Sequence, residues 1–217
     1  MGYQVYEDPA ADRWAGYGVP AECDWKDCWR SIHRGMDYRC EEHITYGSDG
    51  AERTGDGCGL FFCYTHLSET DAHDDIKPKS ESAKWMYFML TDESWAPWRD
   101  QDDARLEALR GALKTTTKES FLRSLYHDGY HPAHLIDQAR AVLVRLTDQI
   151  ERDQPTQLVE LYALTHASTE EFNRLAEEGL EIETVAREAI TSELGYVAAA
   201  YNFLDADLDE LVAPRQW

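Results

Sequence analysis

Long apolar runs are missing from this sequence of 217 residues. No stretch approaches the roughly 18 consecutive apolar residues of a membrane-spanning helix, so we expect no membrane span. Residues 1–4 also lack the basic and apolar segments that open a secretory signal, which predicts a cytoplasmic protein. Hydrophobic residues still make up 43% of the chain, enough to build a globular core.

Basic residues are scarce as well, with 21 lysines and arginines against 42 acidic residues and a formal net charge of −21. The excess is not confined to a tail, because residues 1–100 and residues 101–217 each contain twice as many acidic as basic residues. Such a surface repels phosphates, so we expect no direct binding of nucleic acid. Solubility is the simplest use of the charge, and attraction of a basic protein partner is the functional alternative.

Familiar catalytic motifs are absent: no Gly-x-Ser-x-Gly, Walker loop, Gly-x-Gly-x-x-Gly or His-Glu-x-x-His occurs. His166 and Glu170 are four residues apart in a helical pattern, so their side chains can meet on one face. That pair resembles a general acid and base, but a polar pair that fixes helix packing has the same spacing. The sequence therefore does not predict an enzyme.

Four polar residues around a predicted turn form a second weak candidate. His131 and His134 are three apart, a spacing at which both can face one metal ion, but a third firm ligand is missing. We interpret these side chains as solvated turn residues. The group comprises His127, Asp128, His131 and His134.

All five cysteines lie in one short segment, from Cys23 to Cys63. An odd number argues against a closed disulfide framework, and a cytoplasmic protein keeps its thiols reduced. The cysteines have histidines close by, in the short spacings with which zinc knuckles grip their ion. The predicted metal ligands are Cys23, Cys28, Cys40, His43, Cys58, Cys63 and His66.

Seven candidate ligands exceed the four of one tetrahedral site, so the sequence predicts two structural zinc ions, or at least one. His33, Asp56 and His73 are the candidates for an eighth ligand. The spacing leaves the pairing of ligands open, and interleaved knuckles would give a treble-clef or RING-like module. Leu60, Phe61 and Phe62 lie between ligands and are predicted to form a small core beneath the metal.

The predicted fold is mainly α. Residues 1–75 form a small zinc-stabilised module of irregular and β structure, with residues 1–20 irregular. Residues 76–100 form a linker with a tryptophan-rich docking segment, and residues 101–217 form an antiparallel helical bundle.

Helix boundaries in the bundle follow from local signals. Thr116–Glu119 reads as a capping box that separates two short helices, and Pro132 suits the first position of a long third helix. Apolar periodicity then marks a fourth and a fifth helix. Asp205 is predicted to cap a last short helix.

Several short stretches of the sequence resemble known protein families. Residues 125–132, 161–166 and 181–188 and the ending DELVAPRQW are similar to an uncharacterised bacterial family of small all-helical proteins, over about residues 120–217. Residues 13–18, 58–63 and 91–95 resemble a bacterial Cys/His zinc-finger module. The resemblance implies a helical fold fused to a metal module and brings no catalytic residue.

Together these observations predict a non-enzymatic acidic zinc-binding protein that binds a basic protein partner, as an inhibitor, immunity protein or adaptor. One alternative is a hydrolase or transferase that uses the face of His166 and Glu170. Another is an inhibitor that mimics nucleic acid, which would need acidic side chains aligned along one face. The sequence does not indicate an oligomeric state.

Overall fold

The structure is a computed structural model that describes residues 4–46, 52–69, 73, 76–127 and 129–217. The chain divides into two units, Met1–Trp85 and Met86–Trp217. A separate cluster of buried apolar side chains lies in each unit. The predicted class is confirmed, because helices dominate the chain and the strands are confined to the first unit.

The first unit contains five strands in its described part. β1 (Tyr6–Asp8), β2 (Arg13–Glu22) and β3 (Ser31–Arg34) form an antiparallel sheet in chain order. β4 (Glu42–Tyr46) and β5 (Glu52–Asp56) form a separate hairpin.

β2 corrects the prediction that residues 1–20 are irregular. The glycines and the proline of this segment signal irregular structure, but the strand absorbs them in a register shift between Gly16 and Pro20. Gly16 has a φ of 131°, and a Cβ there would lie 1.9 Å from the carbonyl oxygen of Gln4. Only glycine allows β2 to pass this close to the N-terminal segment.

Short helices dominate the middle of the chain. α1 spans Tyr64–Leu67, α2 spans Ala83–Thr91 and α3 spans Ala96–Arg99. Asp92 caps the 3-10 turn Glu93–Trp95 just before α3 by accepting a hydrogen bond from the amide of Ser94. The rings of Trp95 and Trp98 meet edge to face, with centroids 5.9 Å apart.

The second unit is the helical bundle. Its long helices are α4 (Asp103–Ser120), α5 (Ala133–Asp153), α6 (Leu158–Glu177) and α7 (Thr184–Ala200). α5 packs against α6, and α4 packs against α7. The apolar face predicted for the third helix is confirmed by the burial of α5, at Leu135, Ile136, Ala139, Val142, Leu143, Leu146 and Ile150.

Two predicted boundaries were wrong. Thr116–Glu119 lies inside α4 and not between helices. The hydroxyls of this region donate to carbonyls one turn back, as Thr117 does to Leu113 at 2.6 Å, so they do not cap a new helix. The last helix, α8 (Leu208–Leu211), is capped by Asp207 and not by Asp205, because the Asp207 carboxylate accepts the amides of Asp209 and Glu210.

No helix within the described ranges is long and apolar enough to cross a membrane.

A single carboxylate on α5 binds groups from two other parts of the bundle. Glu151 accepts hydrogen bonds from Lys118 at 2.6 Å and from the hydroxyl of Tyr201 at 2.7 Å, and Lys114 lies 2.9 Å away. The hydrogen bonds from Lys118, Lys114 and Tyr201 lower the pKa of Glu151 to about 2. Glu151 therefore connects α4, α5 and the end of α7 electrostatically.

We predict that Glu151→Gln lowers the free energy of unfolding by about 0.5–1 kcal/mol at neutral pH, since the carboxylate is partly exposed. The folded pKa lies below the usual value of 4.5. The stabilisation is therefore present above about pH 4.5 and is lost as the pH falls towards 2. Urea unfolding followed by the helical circular dichroism signal measures the difference between wild type and variant.

Glu171→Gln is the matched control, because Glu171 contacts one arginine, Arg145, in the same bundle. A gap between wild type and Glu151→Gln that stays constant from neutral to acid pH would contradict the role given to this carboxylate.

Candidate metal centre

The structure gathers Cys23, Cys28, Cys63 and His66 into a first cluster that can hold a metal ion. The donor atoms of the four side chains all lie within 4.8 Å of one another. His66 Nδ1 is 3.4 Å from both Cys23 Sγ and Cys63 Sγ. Three thiols and one imidazole thus converge on one point.

A second cluster combines Cys40, His43, Cys58 and His73 within the same limit of 4.8 Å. His73 Nδ1 lies 3.4 Å from Cys40 Sγ and 3.8 Å from Cys58 Sγ. Two thiols and two imidazoles therefore converge here. No disulfide joins any of the five cysteines.

Local structure positions the ligands of the first cluster. Cys23 follows β2, and its amide donates to the carbonyl of Arg30. A tight turn then brings Cys28 back, with its amide bonded to Trp25 and with Asp27 in the left-handed region at a φ of 62°. The other two ligands lie on one helical turn, because Cys63 is the residue just before α1 and His66 lies within it.

Glycines let the chain pass closely around the second cluster. Gly59 has a φ of 73° and donates its amide to the carbonyl of Cys40. A Cβ on Gly57 would lie 2.3 Å from that same carbonyl oxygen. His43 lies on β4, where it is opposite Gly55 of β5.

The two clusters are interleaved along the chain. Two residues of the first cluster precede Cys40, His43 and Cys58 of the second, and its other two residues follow them. The last ligand, His73, follows all the others. Along the chain, the residues of the two clusters therefore neither form two consecutive sets nor alternate regularly two by two. This explains why spacing alone left the pairing of ligands open.

The structure brings all seven predicted ligands into the two clusters and adds His73, one of the three candidates for an eighth ligand. His33 lies elsewhere, with its Nδ1 accepting the amide of Gly35 at 3.1 Å. Asp56 is exposed on β5. His73 has no cysteine within four residues, so the knuckle pattern does not distinguish it from His33.

Aromatic rings and a carbonyl orient the imidazoles. Trp25 stacks on His66 with centroids 4.6 Å apart, and Phe62 stacks on His73 at 4.0 Å. His73 Nε2 is 2.8 Å from the carbonyl oxygen of His66, so it is the donor and Nδ1 is left free to bind a cation. Phe62 belongs to the predicted apolar segment, and its complete burial confirms that segment as core.

Burial makes the thiolates of Cys23 and Cys58 costly in the absence of a cation. It raises the pKa of Cys23 to about 12 and that of Cys58 to about 11. Burial also lowers the pKa of His66, so this imidazole stays neutral and able to coordinate. A bound cation would reverse the penalty on the thiolates and release their protons.

A buried carboxylate next to the first ligand connects three parts of the first unit. Asp24 binds both terminal nitrogens of Arg13, at 2.6 and 2.7 Å. It also accepts the amides of Phe61 at 2.9 Å and Lys79 at 2.8 Å. The Asp24 amide in turn donates to the carbonyl of Phe61 at 2.8 Å. We call these contacts the Asp24 network.

A second buried arginine holds the segment after the clusters. Arg34 donates to the carbonyl of Ser80 at 2.7 Å and forms an ion pair with Glu81. The hydroxyl of Ser82 donates to the carbonyl of Pro20 at 2.6 Å. Residues 79–82, which fall in the predicted linker, are therefore bonded to β2 and β3 of the three-stranded sheet.

The polar pair on α6 has partners other than each other. His166 Nε2 lies 2.7 Å from the carbonyl oxygen of Glu210, and Glu170 accepts a hydrogen bond from Asn173 at 2.9 Å. Asn173 also donates to the carbonyl of Pro214 at 3.0 Å. These contacts attach the C-terminal segment to α6, as the packing interpretation expects.

The histidines near the start of α5 differ among themselves. His127 and His134 are exposed, as expected for a turn. His131 is 5% exposed, so its interpretation as a solvated residue was wrong. Its ring packs edge to face against Tyr130. Asp128 lies outside the described residues.

Comparison with known proteins gives a family-model match to part of the chain. Residues 115–217 match the Family of unknown function (DUF5713). The match supports the resemblance of the C-terminal part to an uncharacterised family and assigns no activity. No curated protein and no solved structure matches the chain.

We predict that Asp24→Asn destabilises the first unit by about 3–5 kcal/mol, because it leaves the Arg13 guanidinium buried without its counter-charge. Asp27→Asn removes the same charge from an exposed position whose left-handed backbone asparagine tolerates, so it should change stability by less than about 0.5 kcal/mol. Thermal unfolding followed by tryptophan fluorescence measures both. Equal stability of the two variants would contradict the importance of the Asp24 network.

Proposed function

We propose that this chain is a non-enzymatic protein that holds two structural zinc ions and binds a basic protein partner. The observation that carries the proposal is the presence of two complete sets of four thiol and imidazole donors. No sequence motif of catalysis competes with it.

The donor chemistry favours zinc. Tetrahedral sets of sulfur and nitrogen ligands are typical of zinc, whereas calcium and magnesium prefer oxygen. Zinc bonds of about 2.3 Å to sulfur and about 2.0–2.1 Å to nitrogen give an edge of about 3.5 Å between the two ligand atoms. The separations of 3.4–3.8 Å between imidazole nitrogen and thiol sulfur agree with that edge.

Closed coordination argues for a structural role. Four protein ligands fill a tetrahedral zinc site, so no position remains for the water molecule that a catalytic zinc activates. The small core of the first unit includes Cys23, Cys28, Cys40 and Cys63 among its buried members. Metal binding would therefore supply much of the free energy that folds this unit.

The basic character of the proposed partner is inferred from the net negative charge of this protein. With a net charge of −21, the protein attracts basic surfaces and speeds encounter with them. Inhibitors, immunity proteins and adaptors all work by such binding, without chemistry of their own. A role of this kind also fits the contacts of His166 and Glu170, which are used in packing.

We predict that protein purified without chelators contains about two zinc ions per chain, by elemental analysis. His73→Gln should reduce the content to about one, while His33→Gln should retain both ions. Chelation should unfold the first unit and leave the helical signal of the bundle largely intact, because the bundle has its own apolar core.

A zinc content of zero, or a helical signal that collapses together with the metal sites, would refute the proposed metal role. Loss of zinc from His33→Gln but not from His73→Gln would show that the second cluster is assigned wrongly.

We also predict that the tagged, zinc-loaded full chain captures a basic protein from host lysate at low salt. The complex should weaken steeply as the salt concentration rises, because screening shortens the reach of charge. Glu177→Lys with Glu178→Lys, at two exposed positions, should slow association measured by surface plasmon resonance. Captured partners that are acidic, or binding that is indifferent to salt, would refute the electrostatic part of the proposal.

A further inference from the structure

Four aromatic side chains of the first unit contact one another in succession. Successive ring centroids are 5.2 Å apart from Tyr17 to His33, 4.6 Å from His33 to Tyr38, and 5.2 Å from Tyr38 to Tyr64. We call these four residues the aromatic row.

The row is built from separate elements that the fold brings together. Tyr17 lies on β2, His33 on β3, Tyr38 at the end of a 3-10 turn and Tyr64 at the start of α1. Gly35 makes room for its first two rings, because a Cβ there would lie 2.5 Å from Tyr17 and 2.6 Å from His33. Four elements therefore place these rings in contact.

The outer members of the row are exposed. Tyr64 is 70% exposed and Tyr17 is 47% exposed, whereas aromatic rings of this size are usually well covered. Met36, in the same 3-10 turn as Tyr38, is 42% exposed. Tyrosine and methionine are enriched in the buried centres of protein interfaces, so this combination is typical of a binding surface.

The charge of the chain indicates what covers the row. Aromatic faces carry negative potential and attract cations, arginine above all. Asp37 is exposed next to Tyr38 and contributes a carboxylate, within a chain whose net charge is −21. Both features favour a cationic occupant and disfavour the phosphates of a nucleic acid.

We propose that the aromatic row receives arginine side chains of the basic protein partner, an inference that rests on the proposed function. The guanidinium planes lie against the faces of Tyr64 and Tyr17, and the Asp37 carboxylate pairs with a neighbouring charge. The row thereby adds short-range recognition to the long-range attraction of the whole surface.

The test is a titration of the zinc-loaded full chain into a fluorescently labelled arginine-rich peptide, followed by anisotropy. Tyr64→Ala should weaken binding about three- to ten-fold, because it removes a ring face, whereas Tyr64→Phe should bind nearly as wild type. Tyr130→Ala is the matched control, since Tyr130 is an exposed tyrosine of the bundle. Tyr17→Ala, in the same row, should weaken binding as Tyr64→Ala does.

Each other outcome has a distinct meaning. Equal binding by wild type and Tyr64→Ala would overturn the assignment of the row but leave the proposed function standing. No binding of the peptide by wild type at low salt would overturn the assignment of the row and the basic-partner part of the proposed function, and would leave its metal part standing. Tighter binding of a single-stranded oligonucleotide than of the peptide, lost in Tyr64→Ala, would show that the row recognises bases and overturn the proposal.

Discussion

The first unit depends on a buried carboxylate, Asp24, which lies next to the first ligand of the first cluster. The Asp24 network joins β2 through Arg13, the core segment between ligands through Phe61, and the segment after the last ligand through Lys79. Three parts of the chain that are distant in sequence are thereby fixed around both clusters. A charge buried in this way is stable only with all its partners in place, so the network couples them.

The bundle depends on a different constraint. Its core is one cluster of apolar side chains, contributed mainly by α5, α6 and α7 and completed by residues before α5, between α6 and α7, and at the end of α8. Polar contacts such as those of Glu151 are made by partly exposed side chains. The match to a family of unknown function covers this part of the chain and not the clusters. The chain thus combines a unit with two Cys/His clusters that can hold metal ions and a unit with an extended apolar core.

Sequence patterns predicted what is local and periodic. The apolar face of α5 and the seven cysteine and histidine ligand candidates follow from spacing within one helix or one knuckle. The pairing of ligands could not follow, because it depends on how β2, the β4–β5 hairpin and α1 are placed in space. Gly16 and Pro20 likewise read as breaks, although a register shift accommodates both within β2. Thr117 read as part of a cap because its hydroxyl can bond either forwards or one turn back.

The order of ligands along the chain has a consequence for biosynthesis. All four donors of the first cluster have left the ribosome once His66 emerges, whereas the second cluster stays incomplete until His73 follows. Lys79, which completes the Asp24 network, emerges later still. During translation the residues of the first unit therefore emerge in a fixed order: the four donors of the first cluster, then the last donor of the second, then Lys79, whose amide bonds Asp24.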